Sequence, residues 1–175
     1  IDLLDDFYRE IKEAVDTVEG FRFWANNEDF TQADWTTAPL NRFVEQMNIS
    51  SKYVEAHVTF AYSHYQNPDM GKVGQHQAYK TYYETGKIPA STMTKPEITI
   101  DSSADGSSVH ISGKIANDDG TVAGIRIFKN GSLLRYLDFS SDYGKKVFNF
   151  EYDDDNLSGS GDAEYVLYGV DFYGN

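Results

Sequence analysis

Residues Lys87-Ile88-Pro89-Ala90-Ser91-Thr92-Met93-Thr94-Lys95-Pro96 divide this sequence into halves of different periodicity. Two prolines fix φ and remove backbone donors, and the small polar residues between them bury little, so the stretch reads as a linker. Ahead of it, apolar residues recur at helical spacing, interrupted by two short strand-like runs. Beyond it helical spacing is absent, and short alternating runs are separated by turn pairs. The sequence therefore predicts an α/β segment over residues 1–90, a linker at 91–96 and an all-β domain over 97–175.

In the first half, residues 1–19 predict an amphipathic helix. Ile1, Leu4, Phe7, Tyr8, Ile11, Ala14, Val15 and Val18 form one stripe, and Asp2, Asp5 and Asp6 suit the positive end of the helix dipole. Gly20 is placed to end it. Phe21–Ala25 follows as a near-continuous apolar strand, expected to be buried on both faces. Residues 26–37 read as a polar loop, with Thr37 capping a helix that starts around Pro39 and runs to about Met47 on Leu40, Phe43, Val44 and Met47. A second strand is expected over 55–65, then a loop over 66–71. A third helix is expected over 73–85, with Val73, Ala78, Tyr79, Tyr82 and Tyr83 inward and Gly86 as its stop. Helix and strand in alternation, with long loops after each strand, predict parallel βα units with a functional face at the strands' carboxyl ends.

In the second half, strands are expected at 97–101, 107–115, 121–129, 132–139, 146–152 and 163–173. Asp105-Gly106, Asp119-Gly120, Asn130-Gly131, Tyr143-Gly144 and Ser158-Gly159-Ser160-Gly161 punctuate them. Asn130-Gly131 is the strongest hairpin signal. Short strands at this spacing predict an immunoglobulin-like or fibronectin-like antiparallel β-sandwich.

Charge and composition narrow the partners. The net charge is −13, with −5 over residues 1–95 and −8 over residues 96–175, and there is no basic patch. Nucleic acid and membrane insertion are excluded as expectations. With no cysteine there is neither a disulfide framework nor a thiolate metal site, a usage shared by cytosolic proteins and by exported Gram-positive ones. Phosphate-loop, dinucleotide and zinc signatures are absent, and no cofactor is expected. The chain begins at Ile1 rather than Met, so a processed chain or a fragment is expected.

Glu28 is the leading chemical candidate. It follows an aromatic run and lies near Trp24 and Trp35, and an acid in a partly apolar pocket is what glycoside hydrolysis requires. The competing reading is an ordinary solvated loop acid. Asn26, Asn27 and Asp29 surround it. His64 and Tyr65 end the second expected strand on the same face, as sugar-binding groups or as a packed histidine and its neighbour. His76 reads as structural, and His57 falls at the opposite end of its strand. Asp153-Asp154-Asp155-Asn156, with Asp162, offers hard oxygens for calcium, although a solvated acidic loop explains it as well.

Phe23-Trp24-Ala25-Asn26-Asn27-Glu28-Asp29-Phe30, Pro39-Leu40-Asn41-Arg42-Phe43, Phe60-Ala61-Tyr62-Ser63-His64-Tyr65 and His76-Gln77-Ala78-Tyr79 together resemble the last units of a glycosidase-like TIM barrel from secreted bacterial proteins. The resemblance covers about residues 1–90. It implies that Phe21–Ala25 is the seventh barrel strand, that Val58–Tyr62 is the eighth, and that Glu28 is the seventh-strand nucleophile or a substrate-binding carboxylate. Trp24, Asn26, Asn27, Trp35, His64 and Tyr65 would then line sugar subsites. A barrel needs eight strands, so it further implies completion by a missing amino-terminal barrel segment or another copy of the chain. The alternative is a non-catalytic carbohydrate- or protein-binding surface module, with the sandwich as binder or spacer.

Overall fold

A computed structural model describes residues 3–32, 35–102, 107–155 and 162–175. The chain forms two compact units, residues 1–89 and 90–173.

In the first unit, helix α1 is Leu4–Val15, shorter at both ends than the expected 1–19. Residues 16–20 are turns and bends, and residues 1 and 2 lie outside the described residues. Its apolar stripe is largely uncovered: Tyr8 is its one buried residue, while Phe7 is exposed, as are Leu3 and Val18 just outside the helix. Strand β1 is Trp24–Glu28, displaced three residues from the expected 21–25, and its burial alternates instead of being continuous. The reason is coverage, since helix α2 (Leu40–Ser50) buries one face of β1 and the other stays open. The expected loop over 26–37 instead contains the rest of β1 and a small hairpin, β2 (Phe30–Thr31) against β3 (Thr36–Thr37). Thr37 is thereby used in a strand and does not cap α2, whose N-cap is Pro39.

Strand β4 is Ala56–Phe60, half the length expected, and it pairs with β1 in parallel, from Trp24↔Ala56 to Glu28↔Phe60. The parallel arrangement read from the sequence is thus present in this pair, with α2 in the crossover. After a cis Phe60–Ala61 peptide, the chain turns into the short helix α3 (Tyr62–Tyr65). His64 and Tyr65 are therefore helical and do not end a strand. Helix α4 spans Val73–Thr85 and stops at Gly86, whose φ of 67° is costly for any residue with a Cβ. It buries Gly74 and Ala78; Tyr83, expected inward, is exposed. No described helix is long and apolar enough to cross a membrane.

The second unit contains all six expected strands: β5 (Glu97–Ser102), β6 (Val109–Ala116), β7 (Val122–Lys129), β8 (Ser132–Asp138), β9 (Val147–Asp154) and β10 (Tyr165–Asp171). They form two antiparallel sheets, ordered β5-β6-β9 and β10-β7-β8. Val109, Ile111 and Ile115 of β6, Val122, Ile125 and Ile127 of β7, and Phe148 and Phe150 of β9 make one shared core. Each such side chain contributes roughly 1.5–3 kcal/mol on burial. Asn130 and Gly131 both have positive φ, 50° and 79°, as a two-residue hairpin between β7 and β8 demands. The turn pairs at 105–106 and 158–161 lie outside the described residues.

Met93 bridges Asn117, and Thr94 N–H donates to the Ala116 carbonyl, so the proline-flanked segment joins the edge of β6 before β5 begins. Asp154 is buried where β9 ends. It accepts from Lys129 Nζ at 2.7 Å and from the Tyr165 hydroxyl at 2.6 Å, linking one sheet to the other. Burial and this carboxylate together push the Tyr165 pKa up.

Candidate functional site

Residues paired across a sheet share a face, and successive residues alternate. The β1–β4 pair therefore has two distinct sides. Ala25 and Asn27, with Asp29 continuing their alternation, face α2 together with His57 and Thr59. Trp24, Asn26 and Glu28 lie on the other side with Ala56, Val58 and Phe60.

On the α2 side Ala25 and Asn27 of β1 are buried, while His57 and Thr59 of β4 stay exposed, and polar contacts join the elements. Asn27 Nδ2 meets His57 Nδ1 at 2.8 Å, and Ser50 Oγ donates to Asn27 Oδ1 at 3.3 Å. Burial pushes the His57 pKa down. Asn27 is thus turned away from Glu28 and is not a partner of it. Asp29, 1% exposed, accepts from Gln66 Nε2 at 3.2 Å through Oδ2, while Oδ1 is buried without a hydrogen-bond partner. Burial pushes the Asp29 carboxyl pKa up, and hydrogen-bonding groups of Thr59, Ala61 and Gln66 offset part of that rise. In the sequence Asp29 stands only as a neighbour of Glu28, although extending the alternation of Ala25 and Asn27 by one step places it on the buried side.

The opposite side is open. Glu28, half-buried, ends β1 directly beside Phe60, which is 57% exposed; Trp24 and Val58 are also exposed. Beyond Glu28 the β2–β3 hairpin brings rings together. Phe30 is stacked between Trp35 (5.3 Å, 5°) and Tyr65 (5.2 Å, 19°), with Phe60 edge-on at 6.2 Å. Trp35 sits at φ 54°, and its N–H donates to the Thr31 carbonyl. Arg42 of α2 holds the hairpin by donating to the Phe30 carbonyl at 2.7 Å and to Thr31 Oγ1 at 3.2 Å. Thr37 Oγ1 donates to the Tyr65 carbonyl, tying hairpin to α3.

The structure therefore gathers Trp35 and Tyr65 on Phe30 near the Glu28 end of the sheet, with Asn26 on the Glu28 side. It separates Trp24, which lies at the far end of β1, roughly 13 Å from Glu28 along a strand. His64 is exposed on α3 and meets Ser63 Oγ at 2.9 Å through Nδ1. Phe30 and Phe60, which join these groups, stand in the sequence only as members of the motifs that resemble barrel units, and no local pattern marks them as site residues. His76, read as structural, meets the Tyr62 hydroxyl at 3.4 Å.

A cleft of about 710 Å³ is lined by Leu3, Leu4, Phe7, Tyr8, Asn26, Asn27, Glu28 and Gln46. Three consecutive strand residues can line one cleft only along a strand's edge, so this is the side of β1 away from β4. A second cleft of about 440 Å³ continues along α1 between Phe7 and Phe21.

The acidic run of the second unit does not converge. Asp153 meets His110 Nδ1 at 2.6 Å on one face, and Asp154 points to Lys129 and Tyr165 on the other. Asn156 lies outside the described residues, among which no three His, Asp or Glu side chains are grouped to hold a metal ion.

Residues 1–72 match the model of a family described as a domain of unknown function, DUF4434. No curated protein and no solved structure matches the chain.

Proposed function

We propose that this chain is the carboxyl-terminal part of a secreted bacterial protein built like a barrel glycosidase, with Glu28 as its seventh-strand carboxylate and an immunoglobulin-like module behind it. The observation that carries the reading is the register pair Glu28↔Phe60 at the carboxyl ends of two parallel strands, next to the Trp35–Phe30–Tyr65 stack. An acid beside stacked rings suits a pyranose, whose apolar face lies on an aromatic ring while its hydroxyls meet the carboxylate. The uncovered side of β1–β4, its open edge and the exposed stripe of α1 support completion by further βα units. For the second unit, sheets ordered β5-β6-β9 and β8-β7-β10 follow the A-B-E and C′-C-F orders of an immunoglobulin-like sandwich.

Retaining hydrolysis needs a second carboxyl about 5–5.5 Å from the first. Asp29 cannot serve, being buried on the opposite side of the sheet. The second acid must come from elements beyond these, and the chain by itself is expected to bind sugar without cleaving it.

Both tryptophans of the sequence, Trp24 and Trp35, lie in this unit, so intrinsic fluorescence reads it directly. Titration with soluble oligosaccharides should shift the emission, and Trp35→Phe and Glu28→Gln should each abolish the response. Binding that survives both substitutions, or that is retained by residues 90–175 alone, would transfer the role to the second unit. Glu28-dependent turnover of aryl glycosides by the 175-residue chain would overturn the expectation of inactivity.

A further inference from the structure

We propose that the outer face of the β10-β7-β8 sheet binds a carboxylated sugar, a hexuronate residue of an acidic glycan. Arg126 pairs with its carboxylate, and Tyr168 and Tyr136 flank its ring. This inference rests on the second unit alone, stands apart from the Glu28 face and is independent of the glycosidase reading.

Register fixes the face. Ile125 and Ile127, on either side of Arg126, are fully enclosed in the core, so Arg126 points the other way. Its partners across the sheet are Tyr168 on β10 and Tyr136 on β8, which share that outer face. A cation thus stands between two tyrosines in the middle of the sheet. Tyr168 is 57% exposed, so the face is open there.

Each ring is held in place. Tyr136 lies over Gly124, where a Cβ would come within 2.7 Å of the ring, and its hydroxyl donates to the Ala123 carbonyl at 3.1 Å. Phe128, the next outward residue of β7, meets Tyr168 edge-on at 5.6 Å and 88°. The Arg126 guanidinium lies 5.8 Å from the Tyr136 ring centre, within cation–π range. Rings fixed before binding lose little freedom when a ligand stacks on them.

Charge names the ligand. In this acidic unit Glu97 pairs with Lys114, Asp154 with Lys129 and Asp142 with Lys145. Among the described residues no carboxylate pairs with Arg126, and its Nε is buried without a hydrogen-bond partner. Asp138 shares the face one row along, and it accepts from the Ser140 N–H at 2.8 Å and from the Ser140 hydroxyl. A guanidinium fork matches a carboxylate with two parallel bonds. The acids around it disfavour a densely sulfated or phosphorylated chain. The backbone of β7 is paired on both sides, by β10 and β8, so this face offers an extended peptide no main-chain partner. Rings beside one cation suit a pyranose that carries a carboxylate.

The test uses the 175-residue chain with two probes, a galacturonate tetrasaccharide and a glucuronate-containing tetrasaccharide, each also as its uncharged methyl ester. Binding is followed by calorimetry and by the resonances of β7, β8 and β10. At least one acid should bind saturably and move the signals of Arg126 and Tyr168, and its ester should bind roughly tenfold more weakly. Arg126→Gln and Tyr168→Ala should each weaken binding by about the same factor, and Arg126→Lys should restore only part, since an ammonium lacks the fork. Tyr168→Ala changes an exposed side chain, so an unchanged amide spectrum separates lost binding from lost folding. Glu28→Gln should leave uronate binding as it is, and tryptophan emission should stay constant because both tryptophans lie in the first unit. Failure of both acids to bind, equal affinity for acid and ester, or affinity unchanged in Arg126→Gln and Tyr168→Ala would overturn the proposal. So would an acidic peptide that displaces the sugar from the same resonances with higher affinity.

Discussion

Ile111 on β6 and Val58 on β4 are both β-branched residues in the middle of a strand, yet Ile111 is wholly enclosed and Val58 lies in the open. Residue type does not separate them; the layer opposite does. Ile111 has the β10-β7-β8 sheet across from it, whereas among the described residues no element faces the side of β4 that carries Val58, which is 47% exposed. The second unit closes most of its core from its own strands. The first arranges helices on one side of a two-stranded sheet and leaves the other side and the edges bare, the condition under which strand edges seek partners.

The widest gap should appear when the units are made separately. Residues 90–175 are expected to melt cooperatively as a monomer, and residues 1–89 to melt broadly, bind hydrophobic dye and self-associate. A monomeric, cooperatively unfolding 1–89 fragment would break the comparison. At single residues, Ile111→Ala should cost about 2–5 kcal/mol in denaturant melts, while Val58→Ala should stay within about 0.5 kcal/mol, as exposed substitutions do. A smaller loss, about 1–3 kcal/mol, is expected for Gly113→Ala, because the new methyl meets the Glu97 carbonyl and the Phe150 ring. An unchanged melt would mean that β5 gives way freely at its edge.

The subtlest contrast is in pH. Burial lowers the His57 pKa, so the unfolded chain binds the proton more readily. Stability of the first unit is then lost as pH falls through about 6.5 toward the folded value. The hydrogen bond to Asp153 raises the His110 pKa, helped by the charges of Asp153, Glu151 and Asp101 and opposed by desolvation. That contribution is fully present below about 6.5 and is lost as pH rises through the folded value. Unfolding midpoints, followed by tryptophan emission for the first unit and by histidine resonances for the second, should therefore move in opposite senses across neutrality. His57→Asn and His110→Gln should each flatten one curve and leave the other alone.

The same contrast governs what could be read from the sequence. Asn130-Gly131, Asp119-Gly120 and the alternation through Phe148 and Phe150 are local signals, and the six strands followed from them. In the first unit, Phe21–Phe23 is more apolar than Asn26-Asn27 and drew the strand toward itself. The ladder with β4 selected Trp24–Glu28, and Asn27 can sit inside because His57 and Ser50, far along the chain, satisfy its amide. Glu28 and Trp35 were legible as candidates, since an acid and a tryptophan after an aromatic run are conspicuous. Phe30 as the ring that joins Trp35 to Tyr65 was not, because the hairpin that creates the stack depends on Arg42 of α2.

Asp154 has a consequence for the mechanics of the second unit. Apolar faces attract each other at many offsets, so two sheets held only by Ile, Val and Phe could slide with little change in buried area. A buried carboxylate held by Lys129 from the facing sheet's central strand and by Tyr165 from its neighbour permits only one offset. Any slip would strand a charge in the interior at a cost of several kcal/mol. The Asp154 contact works as a detent, making the alignment of the sheets a single notch instead of a continuum.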